Sequence, residues 1–466
     1  MDAEILHRIQ FAFTITFHYI YPPLSIGLSL LLIIYEWLYL KTGSQLWESI
    51  TKFWIRVFAL TFALGIATGI PLMFSFGTNW SRYSKYIGDV LGSALAAEGL
   101  FAFGVEAGFL GIVLFGWGRV SKKMHFIATC LVALGAHFSG FWIVSVNSWM
   151  HTPAGYAIVK DAKGIENAVV TDWFQMIFNP SNIPHQIHVM LGCWLSGALL
   201  VVSVSAYYLM KNKWKQFAIS SMKVAGVVAA FSALAQLGAA DHLGKVIARE
   251  NPTKMAAFEG VFRTEEYSKI YLFGVVDTEK EKVYGLGIPG VLSFLVHNDF
   301  KTPVQGLDQA PKEEWPQIQA VFQMYHIMIA MWGLIFFASM IVIYMWYKKK
   351  WQLNRWVMGF LVASVTFPQI GNITGWYSSC MGRQPWTVHK LLKTKDSYTP
   401  GITFEEALTS LCFFIVIYLL MFVLFLFLLD KKIKHGPTDM PEDSPYRDPF
   451  KLHEKSEEDK DRKIIL

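Results

Sequence analysis

The chain has 466 residues, of which 53% are hydrophobic and only 16% charged, against roughly 25% charged in an average soluble domain. The deficit points to a low-dielectric surrounding and argues against a soluble globular domain. The net charge of +6 is grouped as Lys and Arg at the ends of apolar runs, a membrane-topology pattern rather than a nucleic-acid surface.

A helix needs about 20 apolar residues to cross the hydrocarbon core. From the N-terminus, the first such run is 11–40, with His18 inside it. Its length, aromatic flanks and lack of a small-residue cleavage site predict a span and not a cleavable signal peptide. The second run is 53–77. The third, 92–117, holds Glu98 and Glu106, about 80° apart around a helix of 3.6 residues per turn. The fourth is 125–149, followed by a loop, 150–183, too long to be a turn. The fifth, 186–210, has His188 near its start and His185 just before it. The sixth is 220–240. Residues 241–319 are polar throughout and are expected to form a small ordered cap, since long loops are often functional. The seventh, 321–346, opens with His326 and Met328. The eighth, 355–377, is followed by Cys380 and Arg383. The ninth is 406–429, and a charged tail, Lys431 to Leu466, is expected to be partly disordered.

These elements predict an all-α, polytopic membrane protein with about nine transmembrane helices. The expected division is helices one to six in 1–240, an extracytoplasmic loop in 241–319, helices seven to nine in 320–430, and a cytoplasmic tail in 431–466. Orientation follows the basic residues. The odd loops carry Lys41, Lys52 and Arg56, then Arg119, Lys122 and Lys123, then Lys211, Lys213, Lys215 and Lys223, then Lys348, Lys349, Lys350 and Arg355. The tail opens with Lys431, Lys432 and Lys434, whereas the second and fourth loops hold only Arg82, Lys85, Lys160 and Lys163. The N-terminus is therefore expected outside and the C-terminus in the cytoplasm. The eighth loop, with Arg383, Lys390, Lys393 and Lys395, is a partial exception. The four cysteines (Cys130, Cys193, Cys380, Cys412) show no CxxC and no metal-ligand spacing, which argues against a disulfide framework.

An ionisable residue inside a span costs a few kcal/mol on insertion scales, roughly 2.5–3.5 at the helix centre, and so asks for a partner or a job. On this topology His18, Glu98, His188, Met328 and Cys380 all fall in the outer half of the membrane, on five different helices. His with Met is the ligand pair of low-spin, electron-transferring hemes, and His188 and Met328 can face one another from two helices. The competing reading for Met328 is packing, since the chain has 18 Met. For His188 it is a two-His metal site with His185, for which no third or fourth ligand is evident. Two buried carboxylates such as Glu98 and Glu106 suit a proton relay, with a hydrogen-bonded packing pair as the alternative.

The run Gly382-Arg383-Gln384-Pro385-Trp386, preceded by Gly375-Trp376, resembles the signature segment of the large subunit of the cytochrome bd quinol oxidases. Arg8 to Ala12, Phe17-His18-Tyr19, Thr51 to Trp54, Phe76 to Trp80, Glu98 to Glu106 and Asn147 to Met150 are similar to the same family, which the chain resembles from about residue 5 to 430. The resemblance implies that quinol is oxidised at the outer face and that electrons pass through a low-spin heme b. From there they reach a high-spin heme b and a heme d (or a further heme b), where oxygen becomes water with proton uptake. It implies His188 and Met328 as low-spin heme ligands, His18 as an axial ligand at the oxygen-reducing pair, and Glu98 and Glu106 as acids tied to that pair. Trp376, Arg383, Gln384 and Trp386 would belong to the cofactor-binding segment. Loop 241–319 would be the quinol loop, with Lys254 and Glu259 implicated in quinol oxidation; a Glu is a sensible base for a quinol proton. Implied partners are a second membrane subunit and a small single-helix subunit, in a bacterial or archaeal cytoplasmic membrane.

Two positions depart from the family pattern. Cys380 stands where a Glu usually ligates the high-spin heme b, and His326 where an Arg usually stands two residues before the heme methionine. Cys380 leaves three readings open: a thiolate ligand, a heme held by another group or water, or a lost or altered heme. His326 can replace the Arg charge near a heme propionate only when protonated. The departures motivate an alternative, a divergent quinol-linked heme protein with altered hemes or another acceptor. A proton-coupled transporter is the alternative from another class.

Overall fold

The computed structural model describes residues 3–438. Among them nine helices are long and apolar enough to cross a membrane: Ala3–Thr42, Gln45–Thr78, Gly88–Phe115, Lys122–His151, Asn182–Met210, Lys215–Glu250, Ile318–Tyr347, Arg355–Met381 and Phe404–His435. They are the nine expected runs, here called spans one to nine. Most of the expected tail lies outside the described residues, but its opening, through His435, is a continuation of span nine.

Capping explains the sharp ends. Ser44 accepts from the Leu46 amide before span two, and Ser121 from the Met124 amide before span four. Thr403 and Glu406 form a capping box at the start of span nine. Gly43, at φ 64°, closes span one in the left-handed conformation that glycine adopts without strain.

The spans differ from expectation at four places. Span one begins at Ala3 and breaks after His18, because Pro22 and Pro23 start a new helix and lack the N–H needed to continue the old one. Span three contains a π-helical turn at Glu98–Phe103. Span six runs on to Glu250, so 241–250 is helix and not loop. Its polar end is held by an Asp241–Lys245 pair at 2.8 Å, one turn apart. Span eight reaches Met381, which puts Cys380 inside the last turn of the helix rather than after it.

The long connections gather at one end of the bundle. Residues 150–183 hold a hairpin of Tyr156–Lys160 with Glu166–Val170 and a short helix, Trp173–Ile177. The 241–319 segment holds a short helix, Pro252–Glu259, a hairpin of Ile270–Asp277 with Lys282–Ile288, and a helix Val291–His297. Asn251 caps Pro252–Glu259 by accepting from the Lys254 amide at 3.1 Å. The segment after span eight folds as a small ribbon, Trp386–Val388 against Leu392–Lys393. Backbone bonds from Tyr83 to Ser397 and from His389 to Met150 tie this ribbon to the spans.

The main core lies at the other end and middle, around Tyr35, Trp47, Trp54, Phe58, Tyr208 and Phe217. Spans one and five touch at Gly27 and Gly197, where a Cβ on either would collide with the other's backbone. This is the small-residue contact by which helices approach in lipid. Buried beside the core, Glu36 accepts from His125 Nδ1 and from the Thr129 hydroxyl, both at 2.6 Å, and His125 Nε2 faces the Val113 carbonyl at 3.2 Å. The trio joins spans one, three and four. Removing the acceptor in Glu36→Leu leaves two buried donors unsatisfied, and is expected to cost about 1–3 kcal/mol. The check is thermal unfolding of the purified protein in detergent; an unchanged midpoint would show that the trio does not brace the bundle.

Candidate functional site

His18 ends the first helical segment of span one, and its Nδ1 lies 3.0 Å from the Thr68 hydroxyl on span two. That hydroxyl donates to the Leu64 carbonyl at 2.7 Å. It therefore accepts from His18 Nδ1–H, which leaves Nε2 as an unprotonated lone pair, the form a metal ligand needs. Gly69 keeps the neighbouring space clear, since a Cβ there would stand 3.1 Å from His18 Cε1.

His188, on span five, is held by Gln236 of span six, with Nε2 of the amide 2.8 Å from His188 Nδ1. The other amide atom, Gln236 Oε1, is buried without a partner. Met328, on span seven, lies with its sulfur over Gly375 of span eight, where a Cβ would come within 2.6 Å of Sδ. Spans six and eight each pack against both span five and span seven, so the His188 and Met328 helices are held on either side of that pair. His185 does not join His188. Its ring stacks on His151 at 5.5 Å and its Nδ1 lies 2.7 Å from the Ser181 carbonyl, which removes the two-His metal site.

Glu98 accepts from the Ser139 hydroxyl of span four at 2.6 Å, and Glu106 is buried. The π turn lies between them, with the Gly104 amide bonded five residues back to the Gly99 carbonyl. A π turn absorbs one extra residue, so the two carboxylates lie within about 20° of one face rather than 80°. Sequence spacing alone misses this alignment.

The second half of the site is polar and buried. Lys254, 1% exposed, enters from helix Pro252–Glu259. Its Nζ donates to the Ser379 hydroxyl at 3.0 Å and reaches His151 Nδ1 at 3.4 Å. Arg383, also buried, places Nη1 3.3 Å from His151 Nε2 and donates from Nε to the Trp386 carbonyl at 3.3 Å. His151 thus stands between two cations. Burial first, and Arg383 next, bring the Lys254 ammonium down to about 7. Among the described residues neither cation has a carboxylate partner. Cys380 stands beside Asn147 and the same two cations.

The rest of the Gly382–Trp386 motif braces the loop. Gln384 accepts from the Thr394 hydroxyl at 2.8 Å, and Trp386 pairs in the ribbon with Lys393, whose Nζ lies 5.2 Å over its ring. Trp376 packs on Phe11 at 6.0 Å, joining spans one and eight. His326 is turned outward: Nδ1 and Nε2 each lie 2.8 Å from a backbone carbonyl, of Phe322 and of Tyr271 in the outer hairpin.

Lys254 and Glu259 are not brought together. Five residues apart, they point about 140° apart around their helix. Glu259, 1% exposed, faces Tyr325 of span seven, while its Oε2 has no partner among the described residues. Burial raises its carboxyl to about 7, against the opposing pull of Tyr325. His151 and Tyr325 escaped the sequence reading. The first lies just beyond the expected end of span four, and the second reads as one more aromatic near a span end.

The donors fit heme groups. Two imidazoles, of which His18 has its Nε2 lone pair free, and a thioether come from separate helices, with glycine at Gly69 and Gly375 where a side chain would intrude. The buried Lys254–Arg383 pair has no anionic partner among the described residues and suits ligand carboxylates.

The profile of the family "Cytochrome bd terminal oxidase subunit I" matches residues 6–437. The chain is 35% identical over 464 residues to "Cytochrome bd ubiquinol oxidase subunit 1" of Bacillus subtilis (strain 168), covering 97% of this chain and 98% of the relative. It is 28% identical to "Cytochrome bd-II ubiquinol oxidase subunit 1" of Escherichia coli (strain K12), covering 95% and 99%. The solved structure of bd oxidase from Geobacillus thermodenitrificans superposes with a TM-score of 0.85 at 28% identity, over 94% of this chain and 99% of that one.

The polar half depends on a close approach at Gly382. A Cβ there would stand 3.0 Å from Lys254 Cγ, 3.1 Å from Phe258 Cε1 and 2.9 Å from the Ser378 carbonyl. Gly382→Ala is expected to destabilise by about 1–3 kcal/mol through overpacking, read as a lowered midpoint of thermal unfolding. Parental stability would show that the contact is not constrained.

Proposed function

The chain belongs to the cytochrome bd terminal oxidase subunit I family, a family of quinol oxidases, and from that premise we propose that it is the heme-carrying subunit of a terminal oxidase that takes electrons from membrane quinol at the outer face and reduces oxygen to water. The observation that carries this reading is the helix Pro252–Glu259. It sends Lys254 into the Gly382–Trp386 segment and Glu259 onto span seven, one turn from Met328.

When bound, the hemes supply one-electron transfer and oxygen reduction: a low-spin heme b, a high-spin heme b, and a heme d or further heme b. His188 and Met328 would hold the low-spin heme, and His18 a heme of the oxygen-reducing pair. Lys254 and Arg383 would meet heme carboxylates, which supply the anion their burial demands. Glu259 accepts a quinol proton, for which a buried carboxyl with one open oxygen is suited. Glu98 and Glu106, aligned by the π turn and joined to span four through Ser139, hold protons bound for the oxygen site.

The division of the chain into bundle, outer cap and inner tail belongs to the same reading, as do the outward N-terminus and the cytoplasmic membrane of a bacterium. So does a second membrane subunit. Span three shows open space where a Cβ would stand at Gly92, Gly99, Gly108 and Gly111, the kind of surface on which helices pack in lipid. A second reading, a divergent member with altered heme content, draws on Cys380, which stands beside Lys254 and Arg383 where the family has a Glu. The transporter reading has no support from family membership.

Heme extraction and reduced-minus-oxidised spectra of the purified complex, with and without carbon monoxide, test the main reading. Two b-type hemes with a heme d support it, and fewer hemes favour the divergent member. Met328→Leu is expected to turn the low-spin heme high-spin; an unchanged low-spin spectrum would remove Met328 from the ligand set. Glu259→Ala is expected to abolish quinol oxidation, at least about 100-fold as for loss of a general base, with heme content intact. Retained turnover would exclude Glu259 as the base.

A further inference from the structure

We propose that the outer hairpin, Ile270–Asp277 with Lys282–Ile288, is a membrane-surface element: its outward face lies against lipid of the adjoining leaflet, beside the head of span seven. No part of this depends on the roles given to Lys254 and Glu259.

An antiparallel hairpin packed on one side commonly alternates apolar residues inward with polar residues outward. Here both faces are apolar. Inward, Val276 and Val283 are buried, and Val283 fills the space where a Cβ on Gly260 would stand. Outward, the register pairs Val275 with Tyr284 and Phe273 with Leu286, and Ile288 follows on the same side. All five are exposed, Phe273 by 64% and Leu286 by 53%. An apolar patch of this kind on a protein surface marks an interaction site. The charges of the hairpin gather at its turn, where Lys280 pairs with Asp277 at 3.4 Å and Glu281 with Lys312 at 2.7 Å. Lys282 lies 5.3 Å over the Tyr284 ring, a stem along an aromatic with its ammonium toward the polar end, as at a membrane interface.

Span seven sets the depth. Gln319, Gln323 and His326 form one stripe at four- and three-residue spacing, and each meets the backbone of strand Ile270–Asp277. Gln319 Oε1 accepts from the Val276 amide at 2.6 Å, and Gln323 Nε2 donates to the Gly274 carbonyl at 2.7 Å. His326 Nε2 lies 2.8 Å from the Tyr271 carbonyl. The strand therefore descends along span seven from the charged turn, reaching about 12 Å from Ile318 at His326. Span seven has 30 residues, hence a length of about 45 Å. The hydrocarbon core is about 30 Å thick, and about 40–45 Å with both headgroup layers. The head of span seven, and the hairpin with it, thus stands in a headgroup layer and at the rim of the hydrocarbon. A strand edge at that depth cannot rely on water, so its amides and carbonyls need protein partners. The stripe supplies three.

The same stripe identifies the occupant. Continued along the span it reaches Ala330, Gly333 and Phe337, all exposed, and a Cβ at Gly333 would meet nothing. Met328 points about 160° away from His326 around the helix. The hairpin therefore covers the side of span seven turned away from the candidate heme ligand, and its apolar face continues a surface that acyl chains cover on a spanning helix.

Spin labels test this on the complete oxidase in phosphatidylcholine nanodiscs. Phe273→Cys and Leu286→Cys carry the label on the outward face, and Lys280→Cys carries it on the turn. The parent protein, in which Cys412 is exposed on span nine, supplies the background. Lipid contact predicts that labels at Phe273 and Leu286 lose collisions with a water-soluble nickel chelate and keep those with oxygen, while the label at Lys280 keeps its nickel collisions. Nickel access equal to that at Lys280 would overturn the proposal, because the face would stand in water. Loss of both kinds of collision with an immobilised label would also overturn it, because a protein surface would cover the face. Phe273 and Leu286 are opposite one another, so either label decides where the other variant fails to assemble.

Discussion

The rest of the site depends on the burial of Lys254 and Arg383 side by side, with His151 between them and no carboxylate partner among the described residues. A buried cation without a counter-ion is opposed by desolvation, and a second one nearby adds repulsion. The fold holds both in place through geometry that does not depend on charge. Arg383 is the continuation of span eight into a ribbon pinned to the neighbouring spans by backbone bonds. Lys254 is carried by a helix capped at Asn251 and laid against Gly382.

The same helix serves a second purpose because it is short. In eight residues it turns Lys254 toward the ends of spans four and eight and Glu259 toward span seven. A longer helix or a flexible loop would let these side chains adjust independently. Here Gly382 packs against both Lys254 and Phe258, and the Phe258 ring lies on Tyr325 of span seven, so the charged side and the proton-accepting side of the proposed quinol chemistry share one rigid helix even though their side chains do not touch.

Much of the fold was legible because the bilayer imposes a length: nine runs of about 20 apolar residues correspond to nine helices. The errors have local causes. Span six outlasts its apolar run because Asp241 and Lys245 pair along it, and span one breaks at prolines that a hydropathy count includes without penalty. In the site, the individual residues were legible as polar groups in an apolar setting, but their grouping was not. The resemblance set Lys254 beside Glu259 as a motif, and helix geometry separates them. Glu98 and Glu106 lie about 80° apart at 3.6 residues per turn, and the π turn brings them closer to one face. Glu36 and His125 went unremarked, since partners on different spans are not adjacent in sequence.

The two departures from the family pattern fall on opposite sides of this assembly, and their surroundings differ. His326 has both ring nitrogens engaged by backbone carbonyls, and its ring lies on Phe322 at 3.9 Å. Its Nε2 contact with the Tyr271 carbonyl joins span seven to the outer hairpin. Cys380 stands beside Asn147 and the two cations Lys254 and Arg383. A neutral thiol at that point adds no negative charge to the cluster, so the anion that Lys254 and Arg383 call for has to come from a bound group.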